Sequence, residues 1–144
     1  MKNEPITLTN VEIQKILPHR YPFLLIDKIV DFEEGKSITG IKNVTANEPQ
    51  FTGHFPGNPV VPGVILCEMM GQASCVLLAD KVKGGTPYFT KLDGVKFKKP
   101  VLPGDTLETV ATVTRVRAPF YFISTKGYVN GKLHVQAEMS FAVK

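Results

Sequence analysis

The chain has 144 residues, 43% of them hydrophobic and 21% charged, and a net charge of +4 at pH 7. That length suits a single domain spanning residues 1–144, large enough to bury a core without disulfide or metal staples, and the composition excludes a disordered or low-complexity chain. The charge is uneven, with 8 basic and 9 acidic residues in 1–90 against 9 basic and 4 acidic in 91–144; so few basic residues, with no phosphate-cradling glycine pattern, argue against nucleic-acid binding.

After a polar lead, MKNEPITLTN, which has no charged-then-apolar leader, Thr9 with Glu12 three residues on is the spacing of a capping box. A short helix follows and ends before Pro18. Residues 18–45 hold two apolar runs about a Glu-Glu-Gly-Lys turn and predict a hairpin. From Glu48 to Pro62 four prolines and two glycines exclude any regular element.

A helix is predicted from about Gly63 to the Gly84-Gly85 pair. It is apolar on nearly every side, yet Glu68, Gln72, Asp80 and Lys81 interrupt it, which excludes a membrane span and predicts a buried helix. Cys67 and Cys75, eight residues apart on this helix, stand about 12 Å from one another and cannot pair. Free thiols point to a reducing, cytoplasmic setting.

Beyond the helix come four β-branched and aromatic runs separated by LPGD, RAP and NGK. The last alternates cleanly, Leu133, Val135, Ala137, Met139, Phe141 and Val143 against Lys132, His134, Gln136, Glu138, Ser140 and Lys144. One side should be buried and the other, with His134, wet. An antiparallel sheet of this kind must cover its apolar face, and only the long helix is apolar enough to do so.

The candidate site lies where a stiff loop meets that helix. His54 sits in GHFPGNPVVPG, and Glu68 occupies the helix's second turn, where burial raises a carboxyl's pKa. A histidine that titrates near neutrality and a carboxylic acid that holds its proton at pH 7 are a general base and a general acid. Gln72 and Cys75, four and seven residues after Glu68, share its helix face; Cys67 does not and has no role. His19 and His134 read as structural. A metal site is not indicated, because no ligand spacing such as H-E-x-x-H appears.

The predicted architecture and four motifs in order carry a family resemblance. The motifs are LPHRYPFLLID at Leu17–Asp27, GHFPGNPVVPGV at Gly53–Val64, Glu68 with Gln72, and VKFKKPVLPGD at Val95–Asp105. The chain resembles the β-hydroxyacyl-acyl carrier protein dehydratases of the FabZ type, which implies an α+β hot-dog fold with an antiparallel sheet wrapped around a long central helix. It further implies dehydration of (3R)-3-hydroxyacyl-acyl carrier protein to the trans-2-enoyl product, within fatty acid and lipid A biosynthesis, without metal or redox cofactor.

The resemblance also assigns roles. His54 removes the C2 proton, Glu68 protonates the leaving hydroxyl, the Gly63 amide polarises the thioester carbonyl, the Val60 carbonyl fixes the histidine tautomer, and Gln72 supports the carboxylate. Pro59 and Pro62 stiffen the loop. Phe55, Ile65, Met69, Tyr88 and Phe89 are expected to line an acyl tunnel. Lys96, Lys98, Lys99, Arg115 and Arg117 are expected to form one docking field for an acidic acyl carrier protein. The resemblance implies a homo-oligomer with the dimer as active unit, His54 and Glu68 coming from different subunits, assembled as a trimer of dimers. Two rivals stay open at this point: a hot-dog acyl thioesterase, and a non-catalytic acyl or carrier-protein binding module.

Overall fold

The computed structural model describes residues 4–82 and 84–144. Met1–Asn3, the start of the polar lead, lie outside the described residues. The first element, α1 (Asn10–Gln14), is set by the expected capping box: Thr9 accepts from the Glu12 amide while Glu12 reaches back to the Thr9 amide at 3.0 Å. Strands β1 (Lys28–Glu33) and β2 (Ser37–Asn43) form the predicted hairpin.

Two boundaries differ from expectation. A short 3-10 turn, Pro49–Thr52, lies within the stretch expected to hold no regular element, and it drives Phe51 into the core. The long helix is interrupted: α2 covers Gly63–Leu77, and α3 (Ala79–Val82) follows a break at Leu78. There the Leu78 amide is shared between the Ser74 and Cys75 carbonyls, and the Leu78 carbonyl accepts from both Lys81 and Val82.

The four predicted strands are β3 (Pro87–Phe97), β4 (Thr106–Arg117), β5 (Phe120–Val129) and β6 (Lys132–Val143). All six strands form one antiparallel sheet in the order β1-β2-β4-β5-β6-β3. The sheet curves round α2, which packs on β2, β4 and β5. From Leu66 to Leu77 every α2 residue but Glu68 is buried, so the helix is the core and the sheet its cover. This is the α+β hot-dog architecture.

Close packing here needs a small residue on β5. A side chain at Gly127 would place its Cβ 2.7 Å from Val135 Cγ1 and 3.0 Å from Leu107 Cδ1, with Met70 of α2 at 3.4 Å. The β-branched Val135 has little rotamer freedom with which to yield. Gly127→Ala is therefore expected to destabilise by about 1–3 kcal/mol, seen as a lower urea midpoint at unchanged slope; an unchanged midpoint would show that this packing is slack.

One face assignment on β6 needs correction. His134 was expected on the wet side, yet it is only 9% exposed. The chain leaving β3 folds over it: Lys98 N donates to His134 O at 2.7 Å, and His134 Nδ1 lies 3.2 Å from Pro100 O. Ser140 is buried likewise, bonded to Thr90 of β3 at 2.6 Å.

Candidate active site

The His54 loop is built from its own backbone. Val60 N and His54 O close it at 3.2 Å, while Phe55 and Asn58 exchange two bonds of 3.1 and 2.8 Å across Gly57, whose φ of +73° suits glycine. The imidazole stacks on Phe55 with ring centroids 4.0 Å apart. Its Nδ1 lies 2.8 Å from Val60 O. A carbonyl can only accept, so Nδ1 carries the proton and Nε2 of the neutral ring keeps a free lone pair.

Beside this ring α2 begins. Its first residue, Gly63, follows Pro62, which supplies no side-chain cap, and the first amides of a helix have no intrahelical partner. A Cβ at Gly63 would stand 2.8 Å from the Phe97 ring, so glycine lets that ring lie close against the start of the helix. His54, Val60, Gly63, Phe97, Lys98 and Lys99 line one groove of about 710 Å³.

Glu68 lies on another side of α2, with its side chain 17% exposed. Burial raises its pKa, and a hydrogen bond from Gln72 partly offsets this. Gln72 is fully committed: its oxygen accepts from Leu25 N at 2.7 Å, and its nitrogen donates to Phe23 O at 2.7 Å and to Glu68 Oε2 at 2.9 Å. Cys75, on the same face as expected, has its thiol pKa pushed up by burial and then by the Glu68 charge.

These shifts make stability depend on pH. Because the folded state raises Glu68 above its ordinary 4.5, folding binds the proton more tightly, and stability is lost as pH rises through the raised value. Glu68→Gln cannot ionise. It is expected to flatten this part of the curve of melting temperature against pH; a curve parallel to that of the parent would contradict the assignment.

Within one chain His54 and Glu68 do not meet. Each has its own partners, and no hydrogen bond or ion pair joins them. The partner of Glu68 is instead His19, with Nε2 3.6 Å from Oε2. Sequence reasoning missed this residue by treating it as structural. Its signal was the setting, a histidine between Pro18 and Pro22 as stiff as the His54 loop.

The expected tunnel residues do not line the His54 groove. Met69 is 1% exposed and belongs to the core, while Phe89 lies on Phe141 at 4.8 Å over Gly71. Phe55, Tyr88 and Phe89 are exposed, and Ile65 is half-buried. Phe97, not considered for the site, does line it.

The single docking field is also corrected. Lys96 pairs with Gln136, which is level with Lys126 and so with Val110 on β4. Arg115 stands three strands across and five residues along, roughly 20 Å from Lys96. Lys98 and Lys99 rim the His54 groove, whereas Arg115 lies over Phe122 and Arg117 ends the β4–β5 hairpin.

Comparison with known proteins shows the family. The model of the FabA-like domain matches residues 17–138. A 3-hydroxyacyl-[acyl-carrier-protein] dehydratase FabZ of Geobacter metallireducens is 50% identical over 132 residues, 89% of this chain and 88% of that protein. Another, from Acetivibrio thermocellus, is 46% identical over 138 residues, covering 94% of each. Among solved structures, the dehydratase heterocomplex ApeI:P from Xenorhabdus doucetiae has a TM-score of 0.79 at 15% identity, over 99% of this chain and 93% of that one; at that identity it speaks for the fold alone. With matches spanning nearly its whole length, the chain belongs to the FabA-like family, among the FabZ-type 3-hydroxyacyl-[acyl-carrier-protein] dehydratases.

Proposed function

We propose that this chain dehydrates (3R)-3-hydroxyacyl-acyl carrier protein to the trans-2-enoyl thioester, with His54 as base and Glu68 as acid. The carrying observation is the contrast between the two groups: a fixed imidazole whose neutral form has a free Nε2 lone pair, and a carboxyl whose pKa is raised by burial, the direction an acid needs. Nε2 takes the C2 proton while Glu68 gives its own to the C3 hydroxyl, which leaves as water. Charge that builds on the thioester oxygen meets the Gly63 amide at the positive end of α2. Gln72 holds the carboxyl in place.

The site forms between two copies in this reading. β3 is an edge strand of 11 residues with Tyr88, Phe89, Leu92 and Phe97 exposed on it. An edge this long and apolar suits pairing with the same edge of a second copy, which would bring another subunit's helix to the His54 groove. The exposed aromatics, with Phe55, would then wall the acyl tunnel. A trimer of dimers, implied by the resemblance, belongs to the same reading. Lys98 and Lys99, on the groove rim, are the basic pair best placed to receive an acidic carrier.

Two free cysteines suit the cytoplasm, and no helix among the described residues is long and apolar enough to cross a membrane. Purified protein supplied with a 3-hydroxyacyl thioester should yield the conjugated enoyl thioester. Release of free thiol would instead mean thioester hydrolysis, and binding without turnover a binding module.

A further inference from the structure

The His19 imidazole is not used by the mechanism above. It is half-buried on the segment between α1 and β1, its Nε2 is 3.6 Å from Glu68 Oε2, and its Nδ1 is buried with no hydrogen-bond partner. Buried polar atoms of this kind are uncommon and call for an explanation. Burial and the neighbouring Arg20 charge push the His19 pKa down, so the ring is neutral at pH 7. In the tautomer with the hydrogen on Nε2 the ring turns a donor toward the carboxyl oxygen, and Nδ1 is left as a bare lone pair.

The ring is held for this. Arg20 donates to the carbonyls of Gln14, Leu17 and His19 at 2.8, 2.8 and 2.6 Å, which pins the backbone on both sides of the histidine. Gln72 then distinguishes the two oxygens of Glu68. Both its amide hydrogens are spent, one on Phe23 O and one on Oε2, so Oε2 must be an acceptor in either protonation state.

We propose that His19 is a positioning residue for the acid: together with Gln72 it holds Oε2 as the accepting oxygen, so that the reactive proton sits on Oε1. When the C3–O bond breaks, the O–H bond at Oε1 breaks with it and its proton leaves in the water. The charge left on the carboxylate is met by the Gln72 hydrogen bond at 2.9 Å and, at 3.6 Å, by the polar Nε2–H of His19. Of the other titratable groups, Cys75 and the adjacent Cys67 keep neutral thiols, their pKa values raised by burial, and Arg20, whose charge acts on His19, is turned to the carbonyls. His19 thus makes Glu68 a stronger acid than its burial alone would allow.

This inference rests on Glu68 being the acid, and the test separates the two ideas. The measurement is kcat against pH for the parent, His19→Phe, His19→Asn and His19→Gln. Dehydration needs Glu68 protonated, so the alkaline limb reports its proton affinity in the complex. Removing the donor should weaken the acid: His19→Phe and His19→Asn should move that limb up by roughly one pH unit and lower kcat about tenfold near pH 7, with KM little changed. His19→Gln, whose amide nitrogen falls where Nε2 stood, should restore both. Should His19→Phe fail to fold, the Asn and Gln pair still decides, since Asn places its amide at Nδ1, away from Glu68. An alkaline limb shared by parent, Asn and Gln variants would overturn the role of His19. Full activity in Glu68→Gln would overturn the acid itself.

Discussion

His54→Ala and Glu68→Gln are each expected to lower kcat for dehydration by about 10²–10⁴-fold while the protein stays folded. His54 is only half-buried and its ring bonds to the loop through Val60 O alone, so truncation costs little packing. Glu68→Gln keeps the shape and the bond with Gln72 while removing a proton that can be donated. The two losses should not add. Both groups act in one elimination, so a double variant should be scarcely worse than the poorer single one. The parent's rate should fall on the alkaline side as Glu68, its pKa raised by burial, ionises. Full rate in either variant would remove that residue from the mechanism.

Much of this site is legible in the sequence because its cues are local. The capping box needs only Thr9 and Glu12, three residues apart, and the β6 alternation needs only the period of a strand. The carboxyl on an apolar helix is equally plain, since every neighbour of Glu68 in sequence is a core residue. What failed was non-local. His134 sits on the polar side of its strand by alternation, and is buried because the chain after β3 crosses it.

The same limit explains the docking field and the tunnel. Lys96 and Arg115 are near in sequence, but β3 crosses to the far edge of the sheet, and no local pattern encodes a strand order. Phe55, Tyr88 and Phe89 lie on the surface of the single chain, so contacts within the chain enclose no tunnel around them. His19 was hidden by 49 residues of separation from Glu68. Only tertiary packing, anchored by Gln72 on Phe23 and Leu25, brings them together.

The second large effect follows from the proposed division of the site between copies. Glu68 is surrounded by its own chain's His19 and Gln72, and His54 by its own Val60 and Gly63, with no bond between the two sets. A two-fold dimer that pairs His54 of one copy with Glu68 of the other has two equivalent sites. A dimer of one His54→Ala chain and one Glu68→Gln chain then holds one site with both defects and one with neither. Inactive proteins should therefore rescue each other.

The measurement is the rate of enoyl thioester formation by the two variants co-expressed in equal amounts, against each variant alone. Random pairing makes half the dimers mixed, each with one intact site of two, so the account predicts about a quarter of the parent rate, from components each at about 10⁻² of it or less. A rate that stays at the mean of the two variants, in samples shown to contain mixed dimers, would contradict a site shared between subunits.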